Sequence, residues 1–294
     1  MKNYQSLFRK ACLVQLSTSI WACSKVLNQS ILKEKIGDDN DWLRGRKFLI
    51  NPELLGPIKT AVHQARNNIQ KFALPFPITS IYLVPKDNLA LIDERLQYYK
   101  ERYWNKVGEF ESLYGEAREE AKGVLGDLFN ETDYPEDIRT KFRFEHRYLT
   151  LGLPGKTSVL NPQIYEREKE KFQSLMDETR DLAMMALREE FGQLVTHLTE
   201  RLNSNDGKPK VLRTTMFNKM HQFLESFSAR NIFDDEKLTE LADQARSVIS
   251  GSSSYGLQYN DVMRKKIRKG INDLKDAIDQ AIEEMPRRKI RLAS

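Results

Sequence analysis

Disulfide chemistry is the first thing this sequence lacks. Only two cysteines, Cys12 and Cys23, occur in 294 residues. On one helix they would stand about 16 Å apart, and farther on a strand, beyond the reach of an S–S bond. They are expected to be reduced, buried thiols in a reducing compartment, which predicts a cytoplasmic protein. Long hydrophobic runs are missing too, and none nears the ~18 apolar residues of a transmembrane helix. Lys2, Arg9 and Lys10 precede Ala11–Trp21, an arrangement distantly like a signal peptide. Gln15, Ser17, Thr18 and Ser19 interrupt that stretch and no small-x-small cleavage site follows, so secretion is not expected.

Catalytic signatures are equally scarce. The four histidines, His63, His146, His197 and His221, show no pair at metal-ligand spacing, and the cysteines do not supplement them. Asp38, Asp39 and Asp41 cluster, but without the glycine and glutamate of a calcium loop. No Gly-x-Ser-x-Gly and no glycine-rich dinucleotide fingerprint occurs. Gly155-Lys156-Thr157 follows a strand-like segment, as in a phosphate-binding loop. The full pattern needs a glycine at position 150, which is Thr150, and Pro154 removes a backbone N–H donor. Arg143 and His146 suggest a helical nuclease, yet only two residues separate them and on a strand they face opposite sides. A general acid–base pair needs convergence. No catalytic residue, cofactor or metal is therefore expected.

Charge of one sign is not in large excess either. Lys and Arg number 47 against 42 Asp and Glu, a net +5, which permits nucleic-acid contact without arguing for it. What the chain does have is 30% charged residues, 40% hydrophobic residues, 14 Phe and 11 Tyr. That composition suits a helix-rich fold with a real core.

Two charged helical tracts dominate. The first runs from about Asn88 to Phe129. Its stripe is Leu89, Ile92, Leu96, Tyr99, Tyr103, Val107, Phe110, Tyr114, Ala117, Ala121, Val124 and Leu128, at near-heptad spacing. Asp87 or Asn88 is its expected cap, and Gly108, Gly115, Gly123 and Gly126 are candidate bends or close approaches. The second runs from about Pro162 to Asn203, with Phe172, Leu175, Leu182, Ala186, Phe191, Leu194, Leu198 and Leu202 on one side. Between them lies the strand-like segment 142–153. A short strand over residues 12–21 followed by a helix from Ala22 to Lys35, a helix from Pro52 to Phe72 capped by Asn51, and a strand Ile78–Val84 are also predicted. Beyond the linker Asn203–Pro209, helices are expected near 212–229, 235–250 and 257–285, with Asp234 or Asp235 capping the middle one.

The expected fold class is mainly α with a small β-sheet (α+β), elongated, with two long coiled-coil-like helices and a helical C-terminal region. The expected segments are 1–85, 86–205 and 206–294. Segment 142–153 is either a distal tip or evidence that the first rod bends. The favoured arrangement is one small sheet gathering 12–20, 78–84 and 142–151, because lone strands are unstable.

Two surfaces are candidates for contact. Arg143, Glu145, Arg147 and Lys156, on the strand and its loop, are candidate partner contacts. Lys208, Lys210 and Arg213, then Arg264, Lys265, Lys266, Arg268 and Lys269, then Arg287, Arg288, Lys289 and Arg291 form the candidate nucleic-acid surface. Cations at a helix N-terminus oppose its dipole, so local stability does not explain the 264–269 cluster.

Several landmarks resemble a bacterial and phage family named as domain of unknown function 3150. They are Leu16–Trp21, Lys47–Leu55 leading into a helix, Phe72–Phe76 before Tyr82–Pro85, and Phe142–Pro154. The resemblance covers about residues 12–250. It implies a role in a mobile-element or phage assembly, including antiviral defence, beside a MoxR-type AAA+ ATPase and a protein with a von Willebrand factor A domain. It supplies no active-site residue. The expected function is a non-catalytic helical adaptor, with homo-oligomerisation left open. The alternative is a DNA- or RNA-binding accessory subunit using the basic C-terminal region.

Overall fold

A computed structural model describes residues 7–36, 42–152, 161–202, 214–250 and 261–285. The elements in chain order are α1 (Leu7–Lys10), β1 (Ala11–Ser19), β2 (Ser24–Val26), α2 (Gln29–Ile36), β3 (Arg46–Phe48) and α3 (Gly56–Phe72). Then come β4 (Leu74–Pro75), β5 (Ile81–Pro85), α4 (Leu89–Leu125), β6 (Arg143–Leu149), α5 (Pro162–Leu202), α6 (Thr214–Arg230), α7 (Glu236–Ile249) and α8 (Asp261–Glu283). The fold is mainly α with a small β component, as expected. Among the described residues no helix is long and apolar enough to cross a membrane.

The four strands β4, β5, β1 and β6 form one sheet in that order, and β2 pairs with β3 in a second. The sheet gathers the three segments predicted to meet. β4 and β5 are antiparallel, with Leu74 opposite Leu83. The Cys12 thiol donates to the Leu149 carbonyl at 3.5 Å, and the Ser19 hydroxyl to the Lys141 carbonyl at 3.4 Å. These contacts at opposite ends run β1 and β6 antiparallel.

The contacts gather the chain into two discontinuous units. One holds residues 1–14, 72–89 and 148–294; the other holds 15–71 and 90–147.

In the second unit α4 runs unbroken for 37 residues. It buries Ile92, Leu96, Tyr103, Val107, Phe110, Ala117 and Ala121, as the stripe predicts. The stripe fails at its end, where Val124 is 78% exposed. Gly108, Gly115 and Gly123 neither break the helix nor meet a neighbour within 4 Å of a would-be Cβ. Gly126, at φ +52°, sits just past the last turn, where a left-handed residue ends a helix. The expected side-chain cap is absent: a 3₁₀ turn, Lys86–Asn88, precedes α4, and the Asn88 amide donates to the Phe72 carbonyl at 2.8 Å.

An unbroken α4 and a shared sheet are compatible because the chain returns through three short 3₁₀ turns, Gly126–Leu128, Glu131–Asp133 and Ile138–Lys141, joined by non-helical residues. A 3₁₀ turn advances about 2.0 Å per residue and extended backbone about 3.3 Å, against 1.5 Å in an α-helix, so a shorter segment retraces a long rod. The return is visible residue by residue. The Arg118 guanidinium stands 5.4 Å over the Tyr134 ring, and the Tyr114 hydroxyl donates to the Pro135 carbonyl at 3.2 Å. Arg139 reaches Glu111 at 3.1 Å, and the Phe110 and Phe142 rings lie 5.8 Å apart. Phe144 lies 5.4 Å from Tyr103, and His146 meets Asp93 at 3.5 Å. Residues 142–149 are thus no distal tip: they run back along α4, which is unbroken by its glycines. Its strand covers only Arg143–Leu149.

Tyr103 completes this unit's strand pairing. Its hydroxyl donates to the Ser19 carbonyl at 2.5 Å and accepts from the Arg143 N–H at 3.2 Å, bridging β1 and β6. Burial pushes its pKa up to about 12, with the Arg143 N–H a smaller opposing effect. Tyr103→Phe strands two backbone groups, and urea denaturation should show a loss of about 1–3 kcal/mol. A loss under ~0.5 kcal/mol would mean that both groups find other partners.

Two further expectations need correction here. The helix predicted over Ala22–Lys35 begins only at Gln29, because Cys23 takes a left-handed φ of 48° and residues 24–26 pair with β3. The strand predicted from Ile78 begins at Ile81, after Ser80 turns at φ 65°. Asn51 does cap, accepting from the Glu53 N–H at 3.0 Å, but it caps a 3₁₀ turn, Pro52–Leu55, that leads into α3. On the β2–β3 pair, Lys25 stands opposite Lys47. Both ammonium groups converge on Asp133, with Lys47 2.6 Å from its second oxygen.

In the first unit α5 is the central helix. It buries Met176, Thr179, Ala183, Leu187, Phe191, Val195, Leu198 and Leu202. The predicted stripe held Phe191, Leu198 and Leu202 but was one residue off at Leu175, Leu182, Ala186 and Leu194. Helices α6 and α8 and strand β4 all pack on α5, so its apolar residues do not share one face. Phe191 stacks on Phe223 at 5.3 Å, and Phe223 on Phe227 at 5.9 Å. Gly270 lets α8 approach α7: a Cβ there would lie 2.8 Å from a Val248 methyl.

Three helices of this unit meet at Arg188. From α5 it forms a bidentate pair with Asp235, both contacts 2.8 Å, and it donates to the Ala281 carbonyl of α8. Asp235 in turn caps α7, accepting from the Leu238 N–H at 3.1 Å.

Candidate interaction surface

Among the described residues, the strand order places β6 at an edge of the sheet. Strand side chains alternate between faces. Phe144 is buried, while Arg143, Glu145 and Arg147 are exposed. Glu145 and Arg147 approach to 3.4 Å, a surface pair of little energetic weight. Arg143 meets no carboxylate among the described residues. His146 lies on the other side of the strand, at Asp93, so the tempting Arg143/His146 pair does not converge. Lys156 and Gly155-Lys156-Thr157 fall outside the described residues.

A cavity of about 580 Å³ lies beside this strand within the same unit. α4 contributes Lys100 and Trp104, one turn apart. Ser19 and Thr140 add hydroxyls, and the run Phe142 to Glu145 forms the remaining wall. Arg139 sits 5.7 Å over the Trp104 ring. Lys100 and Trp104 escaped notice in the sequence, because nothing about a Lys and a Trp four apart on a helix marks them among so many charged positions.

The second candidate surface is α8. Ile267, Ile271, Leu274, Ile278 and Ala281 are buried. Lys265, Lys266, Arg268 and Lys269 are exposed and Arg264 half-buried, and none meets a carboxylate among the described residues. The second half of α8 carries Asp273, Asp276, Asp279 and Glu283, and Glu283 in the last turn opposes the helix dipole. Lys208, Lys210, Arg213, Arg287, Arg288, Lys289 and Arg291 lie outside the described residues, as do Asp38, Asp39 and Asp41.

Neither surface brings together a catalytic set. Among the described residues no group of three or more His, Cys, Asp or Glu side chains is placed to hold a metal ion. Both thiols are free. Cys23 is fully buried, and burial pushes its pKa up to about 12, against a smaller opposing effect of Lys59. The thiolate is the reactive form. In the native chain, iodoacetamide should therefore label half-buried Cys12 and leave Cys23 untouched until denaturant is added, as peptide mass spectrometry would show. Native labelling of Cys23 at the Cys12 rate would contradict its burial.

No curated protein and no solved structure matches this chain. The family described as protein of unknown function (DUF3150) matches residues 8–250. That span includes β1, the long helix α4, the edge strand β6, α5 and α7, and the chain belongs to this family.

Proposed function

We propose that this chain is a non-catalytic helical adaptor that works in the cytoplasm and docks a protein partner along β6. The observation that carries this reading is the edge position of β6 with Arg143, Glu145 and Arg147 exposed on it. Charges along a strand edge deter indiscriminate strand pairing, so among the described residues this edge admits a partner of complementary charge rather than any strand. Helices of 37 and 41 residues support it, each offering a rigid span of about 55–60 Å. The resemblance to phage and mobile-element proteins suggests a MoxR-type AAA+ ATPase and a von Willebrand factor A protein as partners, in an assembly that includes defence among its roles. Native purification of the tagged chain from its own host tests this. Recovery in a complex with such proteins is expected, and recovery only as a free monomer would sink the adaptor reading.

A second reading is favoured by α8, whose cations at 264–269 have no carboxylate partner among the described residues. An accessory subunit gripping DNA or RNA phosphates there would bind with steep salt dependence. Charge reversal of Arg264, Lys265 and Lys266 should then abolish binding, and an unchanged affinity would dismiss this reading.

A further inference from the structure

The cavity beside β6 has a definite chemistry. Lys100 and Arg143 line it, and neither meets a carboxylate among the described residues. Trp104 and Phe144 give it an aromatic wall. Glu145, also in the wall, is engaged by Arg147 at 3.4 Å, which leaves the local charge positive. Four consecutive residues, Phe142 to Glu145, reach the cavity. Neighbouring strand residues point to opposite faces. Three of the four, Arg143 to Glu145, belong to β6, so a cavity that all of them line reaches the strand's backbone rather than one face alone.

We propose that this cavity and the β6 backbone beside it receive an extended acidic peptide segment of a partner protein. The segment lies along β6 through main-chain hydrogen bonds, the usual source of affinity in strand addition. One of its carboxylates sits between Lys100 and Arg143, where charge-assisted hydrogen bonds fix its register. An apolar side chain rests against Trp104. A nucleic-acid strand suits the site less well, because a phosphate backbone needs cations along its whole path, and here a carboxylate shares the wall with two cations. The inference rests on the adaptor reading and names the chemistry of the docked segment.

A random peptide library displayed on phage and selected on the immobilised full-length chain tests it. Enriched peptides should share an acidic residue flanked by alternating apolar positions. Affinity for a recovered peptide should fall about tenfold or more in the Lys100→Glu/Arg143→Glu double variant, as for charge reversal within an interface. Lys100→Gln/Arg143→Gln is the milder control, and both variants must keep the wild-type thermal transition. The proposal is overturned by enrichment without acidic residues, by no enrichment at all, or by equal affinity in the charge-reversed chain. It is also overturned if oligo-dT competes for the peptide site and depends on the same two residues. Native purification separates the two levels. A complex that survives the double variant removes this inference alone, whereas no complex from the wild-type chain removes the adaptor reading.

Discussion

Arg188→Met should cost the helical unit about 3–5 kcal/mol, the loss expected when one partner of a buried ion pair is removed. The Arg188 and Asp235 side chains are only 8% and 2% exposed. Without the guanidinium, the Asp235 carboxylate stays buried and uncompensated, and the Ala281 carbonyl near the end of α8 loses its donor. Asp235→Ala should be comparably severe, because it also strips the cap of α7. The double variant Arg188→Met/Asp235→Ala should lose clearly less than the two single losses added together, since neither charge is left alone. Denaturant titration of the four chains measures this. A single-variant loss below ~1 kcal/mol would show that Arg188 does not tie α5, α7 and α8 together.

Asp133→Asn should cost about 2–3 kcal/mol at neutral pH, through the loss of a shielded charge-assisted contact. The Asp133 side chain is 2% exposed, and that of Lys47 10%. Lys25 is half-exposed and contributes less, because water screens it. Lys47 also donates to the Leu128 carbonyl at 2.5 Å, so it is held against the turn after α4. Burial alone would raise the Asp133 pKa, but its hydrogen bonds and charge contacts with Lys25 and Lys47 outweigh burial and bring it below the ordinary aspartate value. A folded-state pKa below the unfolded one stabilises the protein above the unfolded value. That stability is lost as the pH falls through the folded pKa. The wild-type and Asp133→Asn stability curves should therefore converge in acid and separate toward neutral pH. A difference independent of pH would show that the carboxylate's charge is not what stabilises the β2–β3 pair.

Much of the fold was legible wherever one face of an element is buried. The α4 stripe, the period-two pattern of β6 and the Asn51 and Asp235 caps all express local rules. The errors fell where partners come from far along the chain. Residues 24–26 read as helix because nothing nearby reveals the strand at 46–48 that they pair with. The α5 stripe slipped by one residue because that helix has packing neighbours on several sides. At the candidate site, Arg143, Glu145 and Arg147 were visible from strand alternation. Lys100 and Trp104 were not, because only the return of residues 129–146 along α4 sets them beside that strand.

The sequence by itself determined which segments are helical, that a small sheet accompanies them, and that the family's landmarks are present. These follow from periodicity, capping and composition, which act within a few residues. Only the tertiary structure decided that α4 stays unbroken while its chain returns, that β6 lies at a sheet edge, and that Arg188 finds Asp235 and Ala281. It also decided that Gly270, unmarked in sequence, is where α8 meets Val248. Each depends on groups brought together across long stretches of chain, where burial and the requirement to pair buried charge override any local preference.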